Sequence, residues 1–247
     1  MMRALLAAVG FLTRIPVPAR VFADTRAQSR SLIWYPVAGL LIGGVLCALA
    51  WTLQTRPPLL SAALLLAAWV ALTGALHLDG LADSADAWVG GMSGDEAQRR
   101  ERTLTIMKDP RSGPIAVVAL VLLLLLKFAA LASLPAPAWM VLLLAPMLAR
   151  AALTLAFLTT PYVRSGGLGQ ALVEAPRAAC IVVLLIVAAS CALAGWRGAL
   201  VLVVAAAVFG LWRRACMGRL QGMTGDTCGA LTESIEAAVL IAWALAQ

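Results

Sequence analysis

The chain has 247 residues, of which 62% are hydrophobic and only 13% charged, with a mean hydropathy of +0.93. A soluble domain is about half apolar and about a quarter charged, so this composition excludes an ordinary soluble fold and points to an all-α polytopic membrane protein. The 19 basic against 12 acidic residues, net +7, are then read as topology, because cytoplasmic loops collect Arg and Lys, and no nucleic-acid partner is inferred.

In chain order, residues 1–16 carry Arg3, a short apolar run, Arg14 and Pro16 but no small-residue cleavage site, so this segment is expected to be retained. Spanning a bilayer takes roughly 20 apolar residues as a helix. About seven transmembrane helices are expected, at residues 32–53, 59–76, 113–134, 138–159, 178–194, 198–212 and 228–246. The fifth and sixth are short, and as a tilted or re-entrant pair they bring the range to 5–7. Pro57-Pro58, Pro135 with Pro137, and Gly195-Trp196 mark tight connections. Without an internal repeat or a soluble appendage, residues 1–247 read as one membrane domain.

Residues 77–112 form a connection long enough to be functional. It is expected to contain a helix: Ser93-Gly94-Asp95-Glu96 has the form of a capping box, Lys108 falls in the last turn and Pro110 stops it. With seven spans, residues 1–31, 77–112, 161–177 and 213–227 share one side and hold five, five, two and three basic residues, 15 of the 19. The other side holds only Arg56 and Arg197. This skew makes the N-terminus and the larger loops cytoplasmic, and the acidic residues gather at the same face.

The densest chemistry is His77-Leu78-Asp79-Gly80-Leu81-Ala82-Asp83-Ser84-Ala85-Asp86. On a helix Asp79, Asp83 and Asp86 fall within an arc of about 60°. Carboxylates so close repel, and beside lipid they are costly unless they face water, a partner or a cation. Mg²⁺, usually held by one or two carboxylates plus substrate phosphates, suits the cluster; a solvated helix end is the plainer reading. His77 points about 160° away from Asp79 on a continuous helix. It is left as a general base, a ligand after a break at Gly80, or a polar cap at the membrane surface.

The basic stretch from Arg99 to Gly113 is either an ordinary loop attracted to anionic headgroups or a phosphate clamp, with Arg forks binding bidentately and Lys as a point charge. Around Thr224-Gly225-Asp226-Thr227 the glycines permit close backbone approach, and Asp226 with the two hydroxyls could complete a metal or phosphate site. Equally, Asp226 or Thr227 caps a helix there. Glu233 and Glu236 lie one to two turns inside the last apolar run, where acids face a cavity or a basic partner, and Lys127 and Arg150 are candidate partners. Arg164-Ser165-Gly166-Gly167-Leu168-Gly169 has the form of an anion nest, the least specific of these signals. Cys47, Cys180, Cys191, Cys216 and Cys228 include no CxxC pair and read as small buried hydrophobes.

The run from Leu76 to Asp86 resembles the signature of the cobalamin synthase (adenosylcobinamide-GDP ribazoletransferase) family. Further matches follow in order: Phe11 to Pro18; Ile106 to Gly113 with Lys127-Phe128; and Thr224-Gly225-Asp226 with Gly229-Ala230 and Glu233. Pro110 stands where the family usually has a small hydroxyl residue, and Pro114-Ile115 replaces a more flexible step. The resemblance implies a Mg²⁺-dependent multi-pass enzyme of the bacterial inner membrane, its N-terminus cytoplasmic. It would join adenosylcobinamide-GDP to α-ribazole, or its 5′-phosphate, releasing GMP in the last step of adenosylcobalamin assembly. By the same resemblance Asp79, Asp83, Asp86 and Asp226 would hold the metal. Lys108 and Arg111 would stabilise the leaving GMP, with Arg14, Thr224 and Gly225 also binding substrate. One of Asp79, Asp83, Asp86 or His77 would accept the hydroxyl proton. The lipid bilayer is the other partner, and a homo-oligomer or an association with other corrinoid-assembly enzymes is compatible with this reading. Two alternatives remain in view. A transporter or permease would want ionisable residues at the midplane and repeated halves, and a CDP-alcohol-type lipid phosphotransferase shares the aspartates at a membrane edge.

Overall fold

The computed structural model describes residues 1–109, 111–135, 138–164 and 169–246. Among these the regular structure is helical: α1 (Met2–Leu12), α2 (Thr25–Ser31), α3 (Tyr35–Thr52), α4 (Pro58–Thr73), α5 (Leu76–Gly90), α6 (Glu96–Ile106), α7 (Pro114–Ala132), α8 (Trp139–Thr159), α9 (Arg177–Leu193), α10 (Gly195–Leu220) and α11 (Gly225–Leu245). The described residues include no strand, only a parallel bridge between Tyr162 and Met223.

Among the described residues five helices are long and apolar enough to cross a membrane: α3 with the preceding α2 (Thr25–Thr52), α7, α8, α10 and α11. Counted as one broken span, α4 and α5 make a sixth, bent by 88°. The expected seven therefore become five or six, inside the expected range. The run at 178–194 is the shortfall: α9 has 17 residues, or about 26 Å at 1.5 Å per residue against a hydrocarbon core of about 30 Å.

α10 also corrects the sequence reading. It runs 26 residues instead of stopping at Trp212, so Arg213, Arg214 and Arg219 are helical and the expected turn at 213–227 shrinks to residues 221–224. Hydropathy falls at the arginines, but Arg, Ala, Met and Leu are all good helix formers, and the helix ends only at Gln221, in the left-handed region. α6 likewise starts from Asp95, whose capping partner is Gln98, because Gly94 at φ +99° breaks the chain between Ser93 and the helix. It ends at Ile106, leaving Lys108 beyond its last turn. The stop assigned to Pro110 lies outside the described residues.

Small residues set the core. A Cβ on Gly39 would lie 2.7 Å from Met147 Cα, and one on Gly43 would lie 2.8 Å from Leu143 Cα. α3 and α8 thus meet backbone to backbone, the contact that glycines four apart allow where lipid removes the hydrophobic drive for helices to associate. α8 is buried along most of its length. α7 turns Val117, Val121, Leu122, Leu125 and Leu126 outward, half or more exposed, as a lipid-facing stripe.

One end of the bundle is polar. Arg219 of α10 donates to Thr103 Oγ1 of α6 at 3.0 Å and to Trp88 O of α5 at 2.8 Å, and Arg100 Nε donates to Leu220 O at 2.8 Å. Val163 N donates to Met223 O at 2.9 Å and Met223 N to Pro161 O at 2.7 Å. These bonds gather α5, α6, residues 161–164 and the α10–α11 turn into one cap, which joins three of the segments read as cytoplasmic. Arg197, read as facing the opposite side, stacks near Trp243 toward the other end of α11, 5.8 Å from its ring centroid.

Candidate active site

The site begins at an elbow. Gly74 at φ +63° and Ala75 at φ +57° turn the chain out of α4 and into α5. Arg14 braces the turn: its N donates to Leu72 O at 2.7 Å, and a Cβ on Gly74 would lie 2.7 Å from Arg14 Cγ. α5 is then laid on the first turns of α11. A Cβ on Gly80 would sit 2.7 Å from Asp226 O, and one on Gly229 would sit 2.9 Å from His77 O. This packing sets Asp79 and Asp83 beside Asp226.

Asp79 is exposed and Asp83 half-buried. Burial, then the charges of Asp79, Asp226 and Asp86, push the Asp83 carboxyl up to about 6, partly opposed by Arg164. Arg164 Nη1 donates to Asp226 Oδ2 at 2.9 Å and Oδ1 at 3.3 Å. Among the described residues it is the only cation in an ion pair with any of Asp79, Asp83, Asp86 or Asp226. Its backbone position is fixed by the Val163–Met223 bond just before it. The cap of α11 is Thr224, whose Oγ1 accepts from Thr227 N at 3.2 Å while Thr227 Oγ1 accepts from Thr224 N at 2.9 Å. Asp226 therefore is not the cap; it projects from the first turn, where the helix dipole favours its charge. A Cβ on Gly225 would meet nothing within 4 Å.

Two members of the expected catalytic set have partners outside this cluster. Asp86 accepts from Gly113 N and, at 2.9 Å, from Ala116 N, so it caps the start of α7. Pro114 opens that helix and Gly113 offers no side-chain oxygen, so the free amides draw an acceptor from α5. His77 is only 4% exposed and faces the bundle interior, its Nδ1 3.5 Å from Arg150 Nη2. The 200° between positions two apart on a helix carries it away from Asp79, and no break occurs at Gly80.

Beneath the site the buried acids find the expected partners. Lys127 Nζ lies 2.9 Å from Glu233 and 2.6 Å from Glu236, and Arg150 pairs with Glu236. Lys108 and Arg111 are exposed, and neither forms an ion pair with the aspartates of α5. Arg111 is forked onto Asp109 at 3.0 and 2.8 Å, while Lys108 lines a cleft of about 840 Å³ with Arg100, Glu101, Arg219 and Gln221. The glycine-rich signal after Arg164 falls mostly on residues 165–168, outside the described residues.

Among the described residues no three acidic, histidine or cysteine side chains converge closely enough to hold a metal by themselves. Of the four aspartates expected to hold a metal, Asp79, Asp83, Asp86 and Asp226, Asp86 is engaged by the amides at the start of α7. Asp79, Asp83 and Asp226 fit instead a cation that arrives with phosphate oxygens, because Mg²⁺ commonly takes only one or two carboxylates from the protein. The elevated Asp83 carboxyl is what an added positive charge would relieve. Sequence reasoning missed two relationships here: Arg164 on Asp226, and Asp86 on α7. The second was signalled by Gly113-Pro114, a helix start with no cap of its own.

The family model described as Cobalamin-5-phosphate synthase matches residues 4–244. A protein of Stutzerimonas stutzeri (strain A1501) named adenosylcobinamide-GDP ribazoletransferase is 56% identical over 246 residues, 99% of this chain and 98% of its own length. The similarly named protein of Pseudomonas aeruginosa (strain PAO1) is also 56% identical over 99% and 98%. That of Pseudomonas fluorescens (strain Pf0-1) is 54% identical over 96% of this chain and 97% of its own. No solved structure matches.

Proposed function

This chain belongs to the cobalamin-5-phosphate synthase family, and on that premise we propose that it is an adenosylcobinamide-GDP ribazoletransferase working at the polar cap of a bacterial inner-membrane bundle. A ribose hydroxyl of α-ribazole, or of its 5′-phosphate, attacks the phosphorus nearer the cobinamide. The new P–O bond forms as the bond to the bridging oxygen breaks, and GMP leaves with that oxygen.

The observation that carries this reading is the seating of Asp79 and Asp83 beside Asp226 by the Gly80–Gly229 contact. Asp83, half-buried and with its carboxyl raised to about 6, is suited to take the hydroxyl proton. Asp79 and Asp226 would hold Mg²⁺ together with the substrate diphosphate. Bound there, the cation would neutralise phosphate charge and polarise the phosphorus. Arg164, Lys108 and Arg111 supply the positive charge that the leaving GMP needs, and Gly225 leaves room for the diphosphate at the positive end of α11. The acids that ride with the substrate lie on the cap that we assign to the cytoplasm, where nucleotide substrates are found.

The test is direct. Membranes holding the folded protein, given adenosylcobinamide-GDP, α-ribazole and Mg²⁺, are expected to form cobalamin and release GMP in equal amounts. Absence of both products would sink the reading, and undiminished turnover in EDTA would sink the metal.

A further inference from the structure

Resting on that reading, we propose that His77 is a positioning residue: through Nδ1 it accepts a hydrogen bond from Arg150, tying the start of α5, and with it Asp79 and Asp83, to an ion network buried in the bundle. The network has four charged members. Lys127 of α7 and Arg150 of α8 meet Glu233 and Glu236 of α11, two cations against two carboxylates, and each side chain is almost wholly buried. Lys127 Nζ also lies 4.5 Å from the centroid of the Trp69 ring on α4. Four helices are thereby joined around a balanced charge.

α5 carries the aspartates yet contributes no charge to this network. Its link is His77, 3.5 Å from Arg150 Nη2. A guanidinium has donors only, so Nδ1 accepts and the ring proton sits on Nε2. Arg150 is fully buried, and its Nε already lacks a partner among the described residues. Removing His77 would leave a second donor of that buried cation unpaired, which costs more than the bond itself contributes.

The carbonyl of His77 faces Gly229, in the same glycine contact that seats α5 on α11. The glycine contact itself offers no side chain against sliding; Asp86 on α7 and Arg219 on Trp88 O hold the far end of α5, and His77 holds its start. Asp79 and Asp83 follow His77 by about 3 and about 9 Å along the helix axis, so a shift at the anchor reaches both.

Three substitutions separate this role from others. His77→Asn keeps an acceptor branching from Cγ, as Nδ1 does. His77→Gln moves its acceptor to where Nε2 was, and His77→Leu keeps bulk but no acceptor. In lipid nanodiscs, His77→Asn is expected to hold kcat/KM within about threefold of the parent, while His77→Gln and His77→Leu lose on the order of tenfold or more, the rate equivalent of one buried hydrogen bond. Hydrogen–deuterium exchange over residues 76–90 should accelerate in the latter two and not in the first. Asparagine cannot take up a proton, so His77→Asn as inactive as His77→Leu, with exchange unchanged, would return His77 to proton transfer and overturn the proposal. His77→Leu matching His77→Asn in both readouts would overturn it in favour of simple packing. Should His77 variants fail to fold, Arg150→Lys keeps a cation beside Glu236 without the fork; unchanged α5 exchange there would also overturn the anchor. If the parent shows no turnover while the exchange pattern holds, the transferase reading fails and the anchor stands.

Discussion

Gly80 of α5 and Gly229 of α11 stand nearly in contact: a Cβ on either would come within 3.2 or 3.1 Å of the other's Cα. Helices approach this closely only where both lack a side chain. The aspartates of α5 and the first turn of α11 share one small space as a result. In Gly80→Ala the new methyl would meet Asp226 O, a backbone atom that cannot swing aside. The expected cost is about 1–3 kcal/mol of stability, as for other overpacked sites, and a loss of turnover larger than the melting shift accounts for. Thermal unfolding and kcat measured on the same detergent preparation decide it; full turnover would mean that this spacing does not set the site.

Asp83 and Asp86 are expected to part company. Asp83→Asn removes a half-buried carboxylate from the cluster and should abolish turnover while membrane insertion and unfolding temperature stay unchanged. Asp86→Asn weakens the cap of α7 and should cost about 1 kcal/mol, in the range of other lost caps, with residual turnover. Equal losses of activity with no thermal difference would contradict the separation.

The buried network predicts a sign. Lys127→Met leaves Arg150 alone against two carboxylates, and breaking a buried pair costs about 3–5 kcal/mol. Adding Glu233→Gln restores the balance, leaving Arg150 with Glu236. The double variant should therefore unfold at a higher temperature than Lys127→Met alone. A further drop would show that the charges are not coupled.

Arg164 competes with any cation for Asp226. Arg164→Gln should lower the half-saturating Mg²⁺ concentration and raise the KM for the diphosphate substrate. The changes should be modest, since the pair is partly exposed. An unchanged Mg²⁺ dependence would remove Asp226 from the metal's ligands.

Topology can be read by labelling. The native cysteines are all buried, and Ser93 is exposed on the polar cap. Ser93→Cys in sealed cells should react with an impermeant maleimide only after the cytoplasmic side is opened. Labelling of intact cells would invert the orientation.

Some of this was legible in the sequence because one rule decided it. Helical spacing alone puts Asp79 and Asp83 on one face with His77 opposite, and the cost of a lone charge in lipid alone pairs Lys127 and Arg150 with Glu233 and Glu236. What His77 faces was not legible, because α8 arrives from a distant part of the chain. Asp86 escaped for a similar reason: its spacing matched the other aspartates, while its fate was decided by amides at the start of α7. The length of α10 was misjudged because hydropathy treats arginines as a boundary, whereas the backbone takes them as helix.

The paired charges also impose an order on biogenesis. Lys127 and Arg150 enter the membrane with α7 and α8, well before the ribosome has made Glu233 and Glu236. Each unpaired cation at mid-helix costs about 2.5–3.5 kcal/mol on insertion scales. Until the last helix arrives the bundle is an unfinished circuit, its two buried cations without their carboxylates. Its final segment closes the fold electrically as well as sterically.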